Sequence, residues 1–393
     1  MIIDQYGSTV DDGVLRVQAT VTWEDADKRP LRVFAETDKR FLAWVSADPN
    51  ALFLACLFPA WRDGERRVFV DGSICPVLRD NLRAAMETVR SWYPDRFGDF
   101  PHVEARRFEV RAPSAARALS LMSCGVDSLS TLRWNQLRFA PAHPSSTRGI
   151  LSVDYRERPS KRSLLEGGRF LAAAKVASAV GIDFLPVRTN VWWLADDGCF
   201  FDEVWHGALL SSAAWFFSSG FNRVYIASSY TPEHLRSWGS HPLLDPSYSG
   251  GHFATEHHGL WMSRVEKTAL IADWREGMVS LRVCQNDDGG ASNCGTCEKC
   301  IRTMTALVAL DRLTECPAFT SRDVTAELLR TIETYDMFAT AHNAHWYAEL
   351  VPLLTERGRV DLVTAIQHVL AYSAQKHGSD AVGHVKRQSG LYG

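Results

Sequence analysis

A six-residue turn of small and polar side chains separates an apolar, strand-like run from a helix-like stretch. The turn consists of Ser123, Cys124, Gly125, Val126, Asp127 and Ser128. The first N–H groups of a helix have no partner within the helix and lie at its positive end, so they attract phosphate. Gly125 lets the backbone approach a ligand closely, and the hydroxyls of Ser123 and Ser128 can donate to phosphate oxygens. We therefore predict that the turn binds a polyphosphate.

The carboxylate within this turn needs its own explanation. Asp127 would repel phosphate unless a cation stood between them, so it predicts bound Mg²⁺ or an orienting hydrogen bond. The Gly-Lys-Ser/Thr sequence of the Walker motif does not follow. The alternative interpretation is an ordinary helix start, in which Asp127 or Ser128 caps the first N–H groups.

The turn resembles the SGGxDS signature of the PP-loop ATP pyrophosphatases, with Cys124 in the position of one glycine. This family cleaves ATP between the α and β phosphates and transfers AMP to a substrate oxygen. The resemblance implies a fold similar to the adenine nucleotide alpha hydrolases. It also implies that residues 123–128 bind ATP, with catalytic roles for Asp127 and Ser128.

A second polar segment follows the strand-like run GILSV at 149–153. Asp154 and Tyr155 end that run, and Arg156 and Arg158 come shortly after them. A residue at the tip of the strand beside a phosphate loop is well placed to contact the base or ribose. The segment resembles the DYGQR-type stretch of one PP-loop branch, the 7-cyano-7-deazaguanine synthases. The alternative is a strand end followed by a charged, solvated loop.

Four cysteines with the spacing C-x9-C-x2-C-x2-C form the strongest motif in the chain. They are Cys284, Cys294, Cys297 and Cys300. Four thiolates at such spacing can surround one tetrahedral ion; zinc is the first choice and an iron–sulfur cluster is the alternative. The synthase family carries nearly the same constellation, which binds structural zinc there. A zinc ion with four protein ligands has no open position for catalysis.

The segment between the fourth strand-like run and the cysteines is long and rich in His, Trp, Tyr, Ser and Gly. Ser228 lies at its start, at the carboxyl end of a predicted strand and hence near the nucleotide. We predict that Ser240, His241 and Asp245 shape the acceptor pocket. His206, at the start of a predicted helix, is a further candidate for nucleotide contact.

The same segment ends in SRVEKTALIA, which looks like the helix start that carries a lysine near the phosphates in this family. The resemblance therefore implies that Arg264 and Lys267 contact the leaving pyrophosphate, with Lys267 catalytic. The histidines of the segment suit structural roles better than metal binding. The adjacent pair His257 and His258 is unsuited to one ion, because neighbours in sequence rarely ligate together.

The order of elements predicts an α/β fold in which a parallel sheet is flanked by helices. Strand-like runs at 118–122, 149–153, 182–187 and 223–227 alternate with helix-like stretches at 128–139, 163–180 and 205–218. We assign residues 113–305 to an ATP-binding domain that includes the cysteine motif. Apolar stripes beyond residue 300 predict a helical C-terminal region, 306–393.

Residues 1–112 are expected to form a β-rich α+β accessory domain. Residues 13–23 alternate apolar and polar side chains, RVFVDG at 67–72 predicts a strand that ends at an Asp-Gly turn, and residues 78–93 have helical spacing.

The bulk composition predicts a cytoplasmic globular protein. The chain has 393 residues, 46% hydrophobic content and a net charge of -3, which gives no general attraction to nucleic acid. No apolar stretch approaches a membrane span, so no membrane partner is expected. The composition leaves open whether the chain forms a homo-oligomer.

The leading hypothesis is an ATP-dependent, AMP- and pyrophosphate-forming synthetase. It would adenylate a carboxylate or amide oxygen of a small molecule, peptide or protein and then couple it to a nitrogen nucleophile. ATP, Mg²⁺ and Zn²⁺ are the expected cofactors. A sulfur transferase that uses Cys124 or Cys199, and a non-catalytic ATP-binding partner protein, are the alternatives.

Overall fold

Over the residues that the structure describes, the framework of the protein is a ten-stranded, mostly parallel sheet flanked by helices. The computed structural model describes residues 1–113, 116–155, 168–284, 293–334 and 344–378, so Arg156 and Arg158 lie outside the described residues. In chain order the strands are β1 (Ile2–Asp11), β2 (Val14–Thr22), β3 (Leu31–Asp38), β4 (Arg67–Ile74), β5 (His102–Phe108), β6 (Ala118–Leu121), β7 (Thr147–Asp154), β8 (Asp183–Thr189), β9 (Arg223–Ala227) and β10 (Ala254–His258).

Helices cover the sheet and form the C-terminal part of the chain. They are α1 (Pro49–Arg62), α2 (Pro76–Trp92), α3 (Val126–Arg138), α4 (Gly168–Val180), α5 (Gly198–Phe200), α6 (His206–Trp215), α7 (Arg264–Ala272), α8 (Arg275–Ser280), α9 (Glu298–Ala309), α10 (Ala326–Arg330), α11 (His345–Ala348), α12 (Val351–Glu356) and α13 (Val360–Gly378). One π-helical turn, Phe201–Trp205, joins α5 to α6.

Five parallel strands form one half of the sheet, in the order β10-β9-β6-β7-β8. The alternation predicted from residue 118 onward is confirmed, with α3, α4 and α6 between successive strands. The chain leaves β6 towards β7 and later returns on the other side of β6 as β9. In open α/β sheets, ligands bind above the carboxyl ends of the strands at such a reversal. The turn after β6 lies at this position.

Burial explains why these strands could be predicted. All four residues of β6 are buried, as expected for a strand covered by helices on both faces. In β2 every second residue is buried, which matches its alternating sequence. The fifth parallel strand, β10, was not predicted, because ATEHH has neither pattern.

The other half of the sheet comes from the first 112 residues. β3, β2 and β1 pair antiparallel, and β4 and β5 continue in parallel. β3 also pairs with β8, through Ala35 with Thr189 and Glu36 with Arg188. One hydrophobic core contains residues from both halves. The N-terminal region is therefore continuous with the parallel half, while the boundary at 112/113 stays a prediction.

The predicted end of the strand at 67–72 is wrong. β4 continues through Asp71 and Gly72 to Ile74, and its pairing with β5 shifts at this point as in a bulge. A Cβ atom on Gly72 would lie 2.7 Å from Cγ of Pro49 at the start of α1. Glycine therefore serves close packing of strand and helix here, and no turn forms.

A second core holds the helices that follow the parallel strands. It joins residues of α3, α4, α7 and α8 to α9 and the C-terminal helices. Helices predicted from the stripes at 301–310, 324–335 and 360–372 are confirmed as α9, α10 and α13 over the described residues. None of the helices in the described part of the chain combines the length and apolarity needed to cross a bilayer.

Candidate functional site

The turn after β6 leads directly into α3, whose N-cap is Gly125 without a side-chain capping bond. Asp127 and Ser128 lie inside the first turn of the helix, so the interpretation of either as an N-cap is not supported. The hydroxyl of Ser128 donates to the carbonyl of Gly125 at 3.2 Å and lies 3.2 Å from the hydroxyl of Ser123. The first N–H groups of α3 thus lack a side-chain cap at the position where we predict phosphate.

The residue that departs from the family signature has a conformation that favours glycine. Cys124 has φ of 60° and is fully buried. Its carbonyl accepts a hydrogen bond of 2.7 Å from the backbone N–H of Arg282, close to the first motif cysteine. The sequence thus places a cysteine at a backbone position where glycine would carry no strain.

Asp127 lies at the centre of a buried charged cluster. Its carboxylate is 3.1 Å from Nη2 of Arg264 and 3.5 Å from Nζ of Lys267, and it accepts a hydrogen bond of 3.3 Å from Ser229. Lys267 also donates to the carbonyl of Ser228 at 2.6 Å. The side chains of Arg264 and Lys267 are only 10% and 2% exposed. The structure therefore brings together predicted site residues that are up to 140 positions apart in the sequence.

The local sequence explains how the start of α7 places Arg264 and Lys267 on the side of the helix that faces Asp127. Ser263 caps α7 and forms a capping box with Glu266, which fixes where the helix begins. Arg264 and Lys267 are three residues apart and hence lie on one face of the helix. That face packs against α3, which carries Asp127.

Neighbouring charges set the ionisation of this cluster. Burial acts to raise the pKa of Asp127, but Arg264, Lys267 and Arg302 together outweigh it and lower the pKa. Burial lowers the pKa of Lys267, and Asp127 opposes that effect. The cluster thus holds an ionised carboxylate against cations with little water, where electrostatic interactions are strong.

The C-terminal region supplies a layer over these cations that the sequence did not reveal. The ring of Trp346 stacks on Tyr230 at 5.4 Å, and the guanidinium groups of Arg302 and Arg264 lie 4.0 and 4.9 Å from its centre. Arg302 also pairs with Glu298, which accepts a hydrogen bond of 3.0 Å from the neighbouring Tyr347. Trp346 lies outside every sequence motif, so its contacts with the two arginines were not predicted.

Asp154 and Tyr155 lie at the carboxyl end of β7, beside β6, as predicted. The ring of Tyr155 packs against Trp192 and Phe201 at centre distances of 5.8 and 4.9 Å. Tyr155 thus belongs to a cluster of packed aromatic side chains at this edge of the sheet.

A cavity of about 110 Å³ lies beyond the carboxyl end of β9. The predicted residues Ser228, His206, Ser240 and His241 line it, together with His257, which sequence reasoning assigned no role. Asp245 is fully buried behind it and accepts hydrogen bonds from Ser240 and His257, each 2.7 Å long. The prediction that the 240–245 segment shapes a pocket is consistent with this geometry.

The four motif cysteines converge although they are spread over seventeen positions. The sulfur atoms of Cys284, Cys294, Cys297 and Cys300 all lie within 4.8 Å of one another. A tetrahedral zinc with Zn–S bonds of about 2.3 Å needs sulfurs about 3.8 Å apart. Burial raises the pKa of Cys294, but hydrogen bonds from Thr296 and from backbone N–H groups outweigh it and lower that pKa. The four thiols fit a metal ion such as zinc.

The cysteine cluster is joined to the charged cluster by α9. Cys297 is the N-cap of this helix and Cys300 lies in its first turn, between Glu298 and Arg302. A metal held by the cysteines would therefore fix the helix that positions Arg302 under Trp346.

Comparisons with protein-family models, with curated proteins and with solved structures returned no match to this chain. The α/β architecture and the cysteine cluster therefore rest on the structure itself, and the family resemblance stays a hypothesis.

Proposed function

We propose that the protein is an ATP-dependent synthetase that releases AMP and pyrophosphate. The observation that carries the proposal is the buried cluster of Asp127, Arg264 and Lys267 beside the uncapped start of α3. A helix N-terminus and two cations at the reversal point of a parallel sheet suit a polyphosphate. The resemblance of residues 123–128 to the PP-loop signature favours ATP as that ligand.

In the proposed reaction, a carboxylate or amide oxygen of the acceptor attacks the α phosphorus of ATP, and pyrophosphate leaves. The N–H groups at the start of α3 and the hydroxyls of Ser123 and Ser128 hold the phosphates. Arg264 and Lys267 stabilise the negative charge that develops on the leaving pyrophosphate, and Asp127 orients both cations. A nitrogen nucleophile then displaces AMP and forms a C–N bond.

Metal ions have separate roles in this proposal. Mg²⁺ would neutralise phosphate charge, and it needs few protein ligands, so the carboxylate of Asp127 is sufficient beside the phosphates. Zinc in the cysteine cluster would be structural, because four thiolates leave no open position.

The burial of the thiols favours this proposal over sulfur transfer. Cys124 is fully buried, and a persulfide carrier must be reached by its donor and acceptor. The exposed Cys199 is then the thiol that sulfur transfer would require.

The experiment is a product assay with the purified protein, ATP, Mg²⁺, ammonium and 7-carboxy-7-deazaguanine, the acceptor implied by the resemblance, with cell extract as a second acceptor source. We expect AMP and pyrophosphate in equal amounts. Asp127→Asn and Ser128→Ala should suppress both products without unfolding the protein. Ser212→Ala is the matched control, because Ser212 is also a buried helical serine bonded to the carbonyl three residues earlier.

Three outcomes contradict the proposal. ADP and phosphate as products would show attack at a different phosphorus. ATP binding without AMP from either acceptor source would support a non-catalytic partner. A thiolated product that disappears in Cys199→Ala would support the sulfur transferase.

A further inference from the structure

The cavity beyond β9 contains a histidine whose two ring nitrogens have different surroundings. Nδ1 of His257 lies 2.7 Å from Oδ2 of Asp245. Nε2 is buried and has no hydrogen-bond partner among the described residues. The side chain is only 5% exposed, yet it lines the cavity. A buried polar atom without a partner is costly, so Nε2 calls for a ligand in the cavity.

Asp245 determines which nitrogen of His257 carries the proton. Its carboxylate also accepts from the hydroxyl of Ser240 at 2.7 Å and from the backbone N–H of His241 at 3.3 Å. A carboxylate oxygen accepts, so Nδ1 of His257 donates, and Nε2 of the neutral ring is left as an acceptor. A carboxylate that holds an imidazole in this tautomer is the arrangement of a general base.

The packing around Asp245 keeps this pair in place. A Cβ atom on Gly207 would lie 2.7 Å from Oδ1 of Asp245 and 2.4 Å from the carbonyl of Gly239. Only glycine therefore lets the start of α6 approach the loop that carries Asp245. The carboxylate itself is fully buried, so its position depends on these contacts.

The cavity adjoins the proposed phosphate site through two serines. Ser228 and Ser229 both line it, and they are hydrogen-bonded to Lys267 and Asp127 respectively. Its volume of about 110 Å³ is below the roughly 150 Å³ that accommodates benzene. In this conformation the cavity accepts a group of only a few non-hydrogen atoms, such as ammonia or the end of an amine.

We propose that His257, held by Asp245, is the general base for the nitrogen nucleophile, an inference that rests on the proposed function. The nitrogen lone pair forms the C–N bond to the carboxyl carbon of the adenylate. The bond from that carbon to the phosphate oxygen breaks, and AMP leaves with its electron pair. The proton released from nitrogen passes to Nε2 of His257, and Asp245 stabilises the imidazolium.

The first test separates the two half-reactions. ATP–pyrophosphate exchange with 7-carboxy-7-deazaguanine reports adenylation, and amide formation with ammonium reports transfer. In His257→Gln we expect transfer to fall about 10²–10⁴-fold while exchange is retained, and Asp245→Asn should act in the same direction. The matched control is His252→Gln, because His252 is also buried, with Nε2 3.9 Å from Asp48 and outside the cavity. Equal loss of exchange and transfer in His257→Gln would overturn the proposal.

The second test needs no substrate. Imidazole nitrogen NMR spectra of the ¹⁵N-histidine-labelled full chain, with His257 assigned by its absence in His257→Gln, should show a protonated Nδ1 and an unprotonated Nε2. A proton on Nε2 would overturn the assignment. If the unchanged protein gives no exchange with either 7-carboxy-7-deazaguanine or cell extract, the proposed function fails, and the NMR spectrum alone then decides the tautomer of His257.

Discussion

A surface ion pair in one half of the sheet and a buried charged cluster in the other differ in what surrounds the charges. In the half built from residues 1–112, pairs such as Arg106 with Asp71 lie on the surface, with side chains 69% and 38% exposed. In the parallel half, Lys267 and Arg264 are buried against Asp127. Exposed pairs contribute about 0–1 kcal/mol, whereas buried charges cost free energy unless they are closely paired. This difference is expected under the proposed function, in which the buried cluster binds a ligand.

Disrupting the cysteine cluster, which fits a metal ion, should give the largest effect and should affect one half of the molecule. In Cys300→Ser we expect the loss of one bound metal ion and a decrease of about 4 kcal/mol or more in the free energy of unfolding. Metal analysis and denaturant unfolding measure both quantities, with the exposed Cys199→Ser as the control. The rate of backbone amide hydrogen exchange should increase around α9 and stay unchanged in β1–β5. An equal increase of this rate in both halves of the sheet would contradict the prediction.

Lys267→Met should strongly reduce the adenylation step. In the proposed reaction this change removes the cation that stabilises the leaving pyrophosphate, so AMP formation should fall about 10²–10³-fold. Steady-state measurement of AMP, together with the thermal unfolding temperature, separates this effect from misfolding. The counterpart in the other half is Arg106→Met, which should retain full activity. Similar losses in both variants would mean that the buried cluster has no special role.

Stability should depend on pH through a histidine of the parallel half. Burial, with Lys267 and His257 adding to it, lowers the pKa of His258 from 6.5 to about 4. The unfolded chain therefore binds more protons between these pH values, so the free energy of unfolding falls as the pH decreases through this window. The full contribution is about 3 kcal/mol.

Denaturant unfolding at pH 7 and pH 4 measures this effect. His258→Gln should flatten the pH dependence, whereas His102→Gln should leave it unchanged, because the side chain of His102 is 77% exposed in the other half of the sheet. If the free energy of unfolding of His258→Gln changes with pH as much as that of the unchanged protein, another group causes the pH dependence.

The smallest effect is expected for the surface pairs. Arg106→Met should lower the free energy of unfolding by less than about 1 kcal/mol. Denaturant unfolding at low and high salt should show that this small difference decreases with ionic strength. A loss above that limit would mean that surface pairs in the N-terminal half stabilise the fold more than their exposure suggests.

Short-range patterns were sufficient to predict four of the five strands of the parallel half. The alternation of apolar runs and helical stretches led to β6–β9, and the compositions of 123–128 and 284–300 led to the turn and the cysteine cluster. Arg264 and Lys267 were implied by the resemblance, and the structure places both beside Asp127. The strands, the turn and the cysteine cluster each depend on residues close together in the sequence.

Long-range contacts could not be predicted in the same way. The pairing of β3 with β8 joins residues about 150 positions apart, and nothing local in either strand specifies its partner. Trp346 lies in a helix of only four residues. The sequence indicates that the adjacent pair His257 and His258 is unsuited to one ion, and neighbours on a strand point to opposite faces. One contacts Asp245 and the other contacts Thr131.

The central claim is that the start of α3 and the Asp127 cluster bind a triphosphate. A crystal structure of the protein with a non-cleavable α,β-methylene analogue of ATP tests it directly. We predict that the phosphates contact the backbone N–H groups of Val126 and Asp127, with the terminal phosphates against Arg264 and Lys267. Density for the nucleotide at any other position, with this cluster left unchanged, would contradict the account.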